Sequence, residues 1–555
     1  MSQARILLVY PRFVQESFWR NLELARLRGA RCMAPPLGLL TVAAMLPVDW
    51  EVRLVDCNVR DLSAEDLAWA DAVFLSAMLP QRLEALRLID RVAAAGKVAV
   101  MGGPDVSSSP QAYAAAPVRV LGEAEAVLPA FIAAWEAGFR DGLFEAGEDK
   151  PDVTRTPVPR FDLITFSDYL FVGVQFSRGC PFTCEFCDII ELYGRVPRAK
   201  ATDQMLAELD ALHTLGYRGH VDFVDDNLIG NKKAVKAFLP HLIAWQKARG
   251  HPFHFSTEAS LNLADDAELL RLLSEAGFFL VFVGIESPDA DVLRSTQKKQ
   301  NTRRDIAASV HRIYAAGLVV IAGFIIGFDN EPAGIGDMMV ELIEEAAIPV
   351  ASLGLLYALP DTQLSRRLER EGRMFELKEE DFRFGDQTGA GLNFATLGPR
   401  VDVLRAYRET YARIYTPAAF FGRVRRLGEL LRRPEAKAQE GALAAGAAVA
   451  KTPEPVDLRT LAGDLARLFA IMLKVSVRHP RTALHIWPVV LRGLKRLDTL
   501  EQLLSLSLFY IHLGRFAQSV DRTLADQIAD IESGRWRDPR ERVAQERAVI
   551  TTAAE

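Results

Sequence analysis

The sequence is poor in several things, and each scarcity removes a class of protein. It holds only five cysteines in 555 residues, an odd and small number that argues against a secreted disulfide framework. Neither sign of charge dominates: 66 basic against 72 acidic residues leave a net charge of -6, so nothing global points to nucleic acid. No apolar run approaches the roughly 20 residues of a membrane span. The opening MSQARILLVYPRF has no charged leader before a long apolar run, which predicts no signal peptide and a soluble, cytoplasmic protein. Histidine is absent from residues 1–212, so that stretch has no imidazole to offer a metal. What is present is ordinary globular material, 50% hydrophobic and 25% charged, sufficient for large cores. At about 150 residues per domain, roughly three or four domains are expected.

Residues 1–140 alternate short apolar runs (ARILLVY, WEVRLVD, DAVFLSA, KVAVMGG, VRVLGE) with segments of helical periodicity. That alternation predicts a doubly wound, Rossmann-like parallel sheet. Its ligands are expected beyond the strand carboxyl ends, where Asp56, Asn58, Ser76, Gly102, Gly103, Gly122 and Glu123 fall. Residues 141–160, charged and proline-rich without apolar period, read as a linker. A second strand–helix series over 161–400 contains six strands and suggests a partial (β/α)6 barrel, with its chemistry at the strand carboxyl ends. Residues 401–555 read as a helical region, interrupted near 435–456 by an Ala/Gly-rich flexible segment.

The cysteines carry the sharpest signal. Cys180, Cys184 and Cys187, in RGCPFTCEFCDI, are spaced C-x3-C-x2-C directly after the first barrel strand. Closely spaced thiolates on one loop are the ligands of an iron–sulfur cluster. Three of them leave one iron of a four-iron cube open. A structural zinc site wants four ligands and no histidine lies near; a disulfide would leave one thiol unpaired. Cys32 and Cys57 read as small buried residues.

With Phe186 before the third cysteine, the motif resembles that of the radical S-adenosylmethionine (SAM) superfamily. The resemblance covers about residues 160–400. It implies a [4Fe–4S] cluster whose open iron is chelated by SAM, and reductive cleavage of SAM to methionine and a 5′-deoxyadenosyl radical. It also implies an external electron donor of the flavodoxin or ferredoxin type. Residue by residue, Asp225, Asp226 and Asn227 stand where the family binds the SAM amino group, although its usual Gly-Gly-Glu is replaced. Glu258 ends the next strand at the same mouth. Glu286 and Ser287 stand where the ribose is contacted, and Gly323, Ile325 and Gly327 resemble the pattern beside adenine. A carboxylate at a strand end is also an ordinary helix cap.

A doubly wound domain before such a barrel resembles the cobalamin-binding subclass, whose corrin lies between the two domains. The D-x-H-x-x-G motif that supplies histidine to cobalt is missing; the region reads Asp56-Cys57-Asn58. If cobalamin binds, this domain does not coordinate it through imidazole.

The segments QFSRGCPFTCEFCDI, ELYGR, DFVDDNLIGNKKA and GIESPD, with the carboxyl-terminal extension, resemble hopanoid C-2 methylases and their relatives. The resemblance implies methylation of an unactivated carbon on an apolar, terpenoid or other lipid or secondary-metabolite substrate, at the expense of two SAM molecules. A non-methylating radical SAM enzyme with a vestigial amino-terminal domain, and an iron–sulfur sensor without turnover, are the alternatives. The sequence assigns no catalytic side chain. Residues 451–500 carry nine Lys or Arg against four Asp or Glu, and their apolar–basic interleaving suits either a helix on an anionic membrane or an ordinary packed helix. Pro480 and Pro488 are expected to interrupt that pattern.

Overall fold

The computed structural model describes residues 4–14, 17, 18, 20–147, 149–375, 391–432, 470, 472–494 and 497–540. The Ala/Gly-rich segment near 435–456 lies outside the described residues.

The amino-terminal sheet comprises β1 (Arg5–Tyr10), β2 (Glu51–Asp56), β3 (Ala72–Ser76), β4 (Val98–Gly102), β5 (Val118–Leu121) and β6 (Gly142–Glu145). All pair in parallel, in the order β2-β1-β3-β4-β5-β6. Ile6, Leu7, Leu8 and Val9 are wholly buried because separate apolar cores cover both faces of the sheet. The sixth strand corrects the linker expectation. GLFE is too short, and too exposed on alternate residues, to announce itself, yet it pairs along β5 and sets Phe144 against Phe131 at 5.6 Å. The rest of residues 141–160 contributes a short 3-10 turn at Val153–Arg155.

The second sheet runs β7 (Val172–Val174), β10 (Gly219–Phe223), β11 (Phe253–Glu258), β12 (Phe278–Glu286), β13 (Val319–Ile326) and β14 (Ala351–Leu355), in sequential order and wholly parallel. A two-stranded hairpin, β8 (Ser177–Arg178) with β9 (Arg198–Ala199), brackets the cysteine loop. Helices connect successive strands, giving the expected partial barrel. Alternation along the strands divides outside from inside. Phe223 and Phe253 face the helix Lys232–Ala248, meeting Phe238 and Trp245 at 6.2 and 5.5 Å. His220, Asp222, His254, Ser256 and Glu258 therefore face the lumen.

The carboxyl-terminal region is helical. The long helix Leu497–Glu532 packs on the helices Arg400–Ile414 and Pro417–Leu430 of the same region, and Tyr510 donates to the Tyr415 carbonyl at 2.8 Å. It also reaches the amino-terminal segment, where His512 Nε2 lies 3.0 Å from the Phe18 carbonyl. Pro480 interrupts the pattern as expected: the helical run over 472–478 stops at His479, and a new helix, Pro480–Gly493, begins with Pro480 in its first turn, where its missing N–H costs nothing. Pro488 does not interrupt it and is accommodated inside that second helix.

Candidate functional site

The cysteine loop leaves β8 through Gly179. Its φ of +91° is left-handed, and a Cβ there would stand 2.8 Å from the Gly194 carbonyl oxygen, so only glycine fits. Backbone bonds then tie the loop down: Cys180 N–H donates to Gly194 O at 3.2 Å and Glu185 N–H to Thr296 O at 3.0 Å. Cys180, Cys184 and Cys187 are all free thiols. Burial raises the Cys180 and Cys187 thiols, and the Lys298 ammonium opposes this. Among the described residues no three His, Cys, Asp or Glu side chains converge on a single ion. Thiolates serving separate irons of a cube need no such convergence. Three free thiols on a pinned loop beside a cation are a donor set that fits a cluster.

The two neighbouring aspartates behave differently. Asp225 is wholly buried and fully committed, accepting from Phe176 N–H at 2.9 Å and from Ser177 N–H and Oγ–H at 2.5 and 2.6 Å. It joins β10 to the exit of β7. Asp226 has a buried Oδ2 without a partner, and burial together with the Asp225 charge pushes it up to about 7. Asn227 takes a third role. Its Nδ2 lies 3.8 Å from Cys180 Sγ, and its Oδ1 accepts from Ser260 N–H at 3.1 Å.

Glu258 faces the cavity, so its side chain has accessible surface although protein surrounds it. Burial, then the charges of Asp222, Asp226 and Asp225, push it up to about 8. Asp226 and Glu258 thus form a carboxylate mouth that an organic cation would relieve.

Glu286 and Ser287 are less free than the sequence suggests. Glu286 Oε1 is paired with Lys298 Nζ at 2.7 Å, and its φ of +72° marks a strained strand exit. Ser287 is wholly buried, its Oγ accepting from Asp289 N–H at 3.2 Å. Gly323 lies under the Phe282 ring, where a Cβ would stand at 3.1 Å. Ile325 is half-buried on the same strand. Gly327 ends that strand and donates to both Glu331 carboxylate oxygens at 3.0 Å.

The strand ends of the amino-terminal sheet roof a cavity of about 1360 Å³, larger than the roughly 300–1,000 Å³ of ordinary small-molecule sites. Asn58, Ser76, Gly102, Gly103, Gly122 and Glu123 line it, as do Val224, Glu258 and Phe282 of the barrel. Arg178 and Tyr193, on either side of the thiol loop, line it too. Gly103 is demanded by the backbone: at φ +98° its Cβ would strike Ser76 Oγ at 2.5 Å. Gly122 N–H donates to Ser107 Oγ at 2.9 Å. Gly102 is different. A Cβ there would meet only Val120, at 3.8 and 3.9 Å, so packing does not require glycine and the missing side chain leaves a bare patch on the cavity wall. Asp56 does not reach the cavity; it holds Asn58 by N–H and Nδ2, both at 2.8 Å, and accepts from Tyr169 Oη–H at 3.2 Å. Glu123 bridges the two sheets' domains, its carboxylate meeting Arg178 and Arg198 at 2.8 and 2.7 Å. Cys32 and Cys57 are buried, and burial pushes both up to about 12, as befits structural thiols.

Sequence reasoning missed Lys298 and the lumen residues His220, Asp222 and Ser256. Their signal was available, since polar side chains at alternate positions of a strand destined for burial on both faces are out of place.

The Radical SAM superfamily model matches residues 174–344, the B12 binding domain model residues 30–132, and a domain of unknown function (DUF4070) residues 362–526. An uncharacterised methyltransferase of Synechocystis sp. is 44% identical over 460 residues, covering 82% of this chain and 83% of that protein. The hopanoid C-2 methylase of Rhodopseudomonas palustris is 38% identical over 425 residues, covering 76% and 79%. Among solved structures, the cobalamin-dependent SAM radical enzyme OxsB, with aqua-cobalamin and SAM bound, shares the fold with a TM-score of 0.57 at 14% identity, over 97% of this chain and 82% of that one.

Proposed function

The chain belongs to the family of cobalamin-dependent radical SAM methyltransferases, and from that premise we propose that it methylates an unactivated carbon of an apolar, terpenoid-type substrate held between its two sheets. The observation carrying this reading is the one cavity that is lined both by the bare Gly102 patch and by Glu258, Arg178 and Tyr193 on the barrel side. When bound, the cluster and SAM supply a carbon radical and the corrin supplies the methyl group. Such chemistry suits a carbon that no ordinary base or nucleophile activates.

The chain's own residues then take definite tasks. Cys180, Cys184 and Cys187 hold the cluster, with Asn227 turned toward the first of them. Asp226 and Glu258 meet the ammonium and sulfonium of SAM, whose charge draws their protons off. Glu286, set by Lys298, keeps an oxygen for the ribose diol, with Ser287 supporting the same turn, and the strand Gly323–Gly327 offers its backbone beside the adenine. Asn58, Ser76, Gly102, Gly103, Gly122 and Glu123 form the wall against which the corrin lies. An external flavodoxin- or ferredoxin-type donor supplies the electron.

Peripheral membrane contact belongs to the same proposal, because an apolar substrate must be collected from lipid. No helix among the described residues is long and apolar enough to cross a membrane. The helical stretch 472–493 instead turns Leu473, Val477, Leu484 and Leu491 outward, 55–75% exposed. Exposed Lys474, Arg478, Arg481 and Arg492 interleave with them, a pattern that suits an anionic surface.

Reconstitution tests the reading. Anaerobic loading with iron, sulfide and cobalamin should give a protein that retains both iron and corrin through gel filtration. Cys184→Ala should lose the cluster's visible absorbance and keep the corrin. A wild-type protein that retains no corrin would remove the methylation step.

A further inference from the structure

Below the carboxylate mouth, the lumen holds a polar network that none of the cofactor contacts uses. The Ser256 hydroxyl donates to Asp222, and its oxygen lies 2.6 Å from His220 Nε2. A hydroxyl whose proton is given to the carboxylate must accept from the ring, which assigns the imidazole proton to Nε2 and leaves Nδ1 as an acceptor. Among the described residues no group bonds to Nδ1. The ring is held in place by Phe171 at 5.0 Å, the edge of Phe279 at 5.1 Å and stacked His254 at 5.4 Å. Burial and the neighbouring His254 lower His220 to about 3, so the ring stays neutral and remains an acceptor.

Barrel interiors are ordinarily filled by layers of Val, Ile and Leu, whereas this network is polar and leaves an acceptor open to the lumen. Here the lumen is open instead, continuous with the interdomain cavity, and walled by Leu280, Phe282 and Ile321.

We propose that this floor anchors a hydroxyl at the far end of an otherwise apolar substrate, which donates to His220 Nδ1 while the carbon to be methylated reaches the mouth. The inference rests on the methyltransferase reading above and adds the substrate's polarity and orientation. His254 and Glu258 stand four residues apart on one strand, about 13 Å at strand rise. The skeleton between hydroxyl and reacting carbon is therefore about that long, extended or built of fused rings.

The test compares two probes on the full chain: a triterpenoid alcohol with one terminal hydroxyl, and the hydrocarbon lacking it. Both are presented in detergent and quantified by mass spectrometry on the captured protein. Wild type should prefer the alcohol by about tenfold, the worth of one neutral hydrogen bond. His220→Phe and Ser256→Ala should bring the ratio near one while hydrocarbon binding persists, which also shows that the lumen is intact. A wild-type ratio near one, or a preference that survives His220→Phe, overturns the anchor and leaves the methyltransferase reading standing. Retention of neither probe by wild type removes the terpenoid substrate and the anchor with it.

Discussion

Both carboxylate oxygens of Asp225 are spent on the exit of β7, Oδ1 accepting from Ser177 N–H at 2.5 Å and Oδ2 from Phe176 N–H at 2.9 Å. The residue that follows it, Asp226, keeps a buried oxygen without a partner. Adjacent identical side chains thus differ, one with both oxygens committed to the strand exit before the cysteine loop and the other with one oxygen uncommitted. Asp225→Ala should lower the stability of the cluster-free protein by roughly 2–4 kcal/mol, the cost of leaving buried donors unmade, read by urea unfolding. Asp226→Asn should not lower that stability, and above about pH 7 should raise it, because it removes a carboxyl that burial and Asp225 push up to about 7; it should weaken SAM binding to the reconstituted protein at least tenfold. The reverse assignment of effects would contradict the division of labour.

Glu258 gives a pH dependence of definite sign. Unfolded, its carboxyl titrates near its ordinary 4.5; folded, burial and three neighbouring carboxylates bring it to about 8. Between those values the folded chain binds a proton that the unfolded chain lacks, so stability is lost as pH rises through the window. The ligand-free protein should be less stable at pH 8.5 than at pH 5.5, and Glu258→Gln should flatten much of that slope. Cationic SAM prefers the ionised carboxylate, so its affinity should rise over the same interval and its binding should release protons. Calorimetry in two buffers of different ionisation enthalpy reads that release directly.

Gly102 and Gly103 separate what a ligand needs from what the backbone needs. Gly102→Leu should fill the bare patch, keep an unfolding midpoint close to wild type's and abolish retention of corrin absorbance. Gly103→Ala should destabilise, since its Cβ meets Ser76 Oγ and the conformation is left-handed. Corrin retained by Gly102→Leu would place the cofactor elsewhere.

Much of this was readable in advance, and what was not has a physical reason. The strands announced themselves because sheets covered on both faces are continuous in apolar residues, and the thiol motif because its ligands lie on one loop. The edge strand Gly142–Glu145 stayed hidden, since four residues with one half exposed look like a turn. Asp225, Asp226 and Asn227 are equivalent as letters; only the return of β10 beside β7 decides which is consumed. The Glu286–Lys298 pair spans twelve residues of loop and helix, a closure that no local pattern encodes. The lumen network was legible as polar alternation in GHVDF and FHFSTE, but its meaning depended on which face those residues took.

The outward apolar and basic residues of 472–493 predict a lipid preference. The protein should co-sediment with phosphatidylglycerol vesicles and much less with phosphatidylcholine vesicles, and added salt should weaken the interaction. Leu484→Asp together with Leu491→Asp should abolish sedimentation and leave the fold intact, since both side chains are exposed. Equal binding to both vesicle types would argue against a charge-assisted surface.

The products of SAM distinguish methylation from other radical chemistry most directly. The anaerobically reconstituted protein, with cobalamin, reductant and a triterpenoid substrate, should release S-adenosylhomocysteine and 5′-deoxyadenosine in equal amounts, matched by methylated product. Cys184→Ala should form no 5′-deoxyadenosine. 5′-Deoxyadenosine without S-adenosylhomocysteine would contradict methylation, and its undiminished formation by Cys184→Ala would contradict the cluster assignment itself.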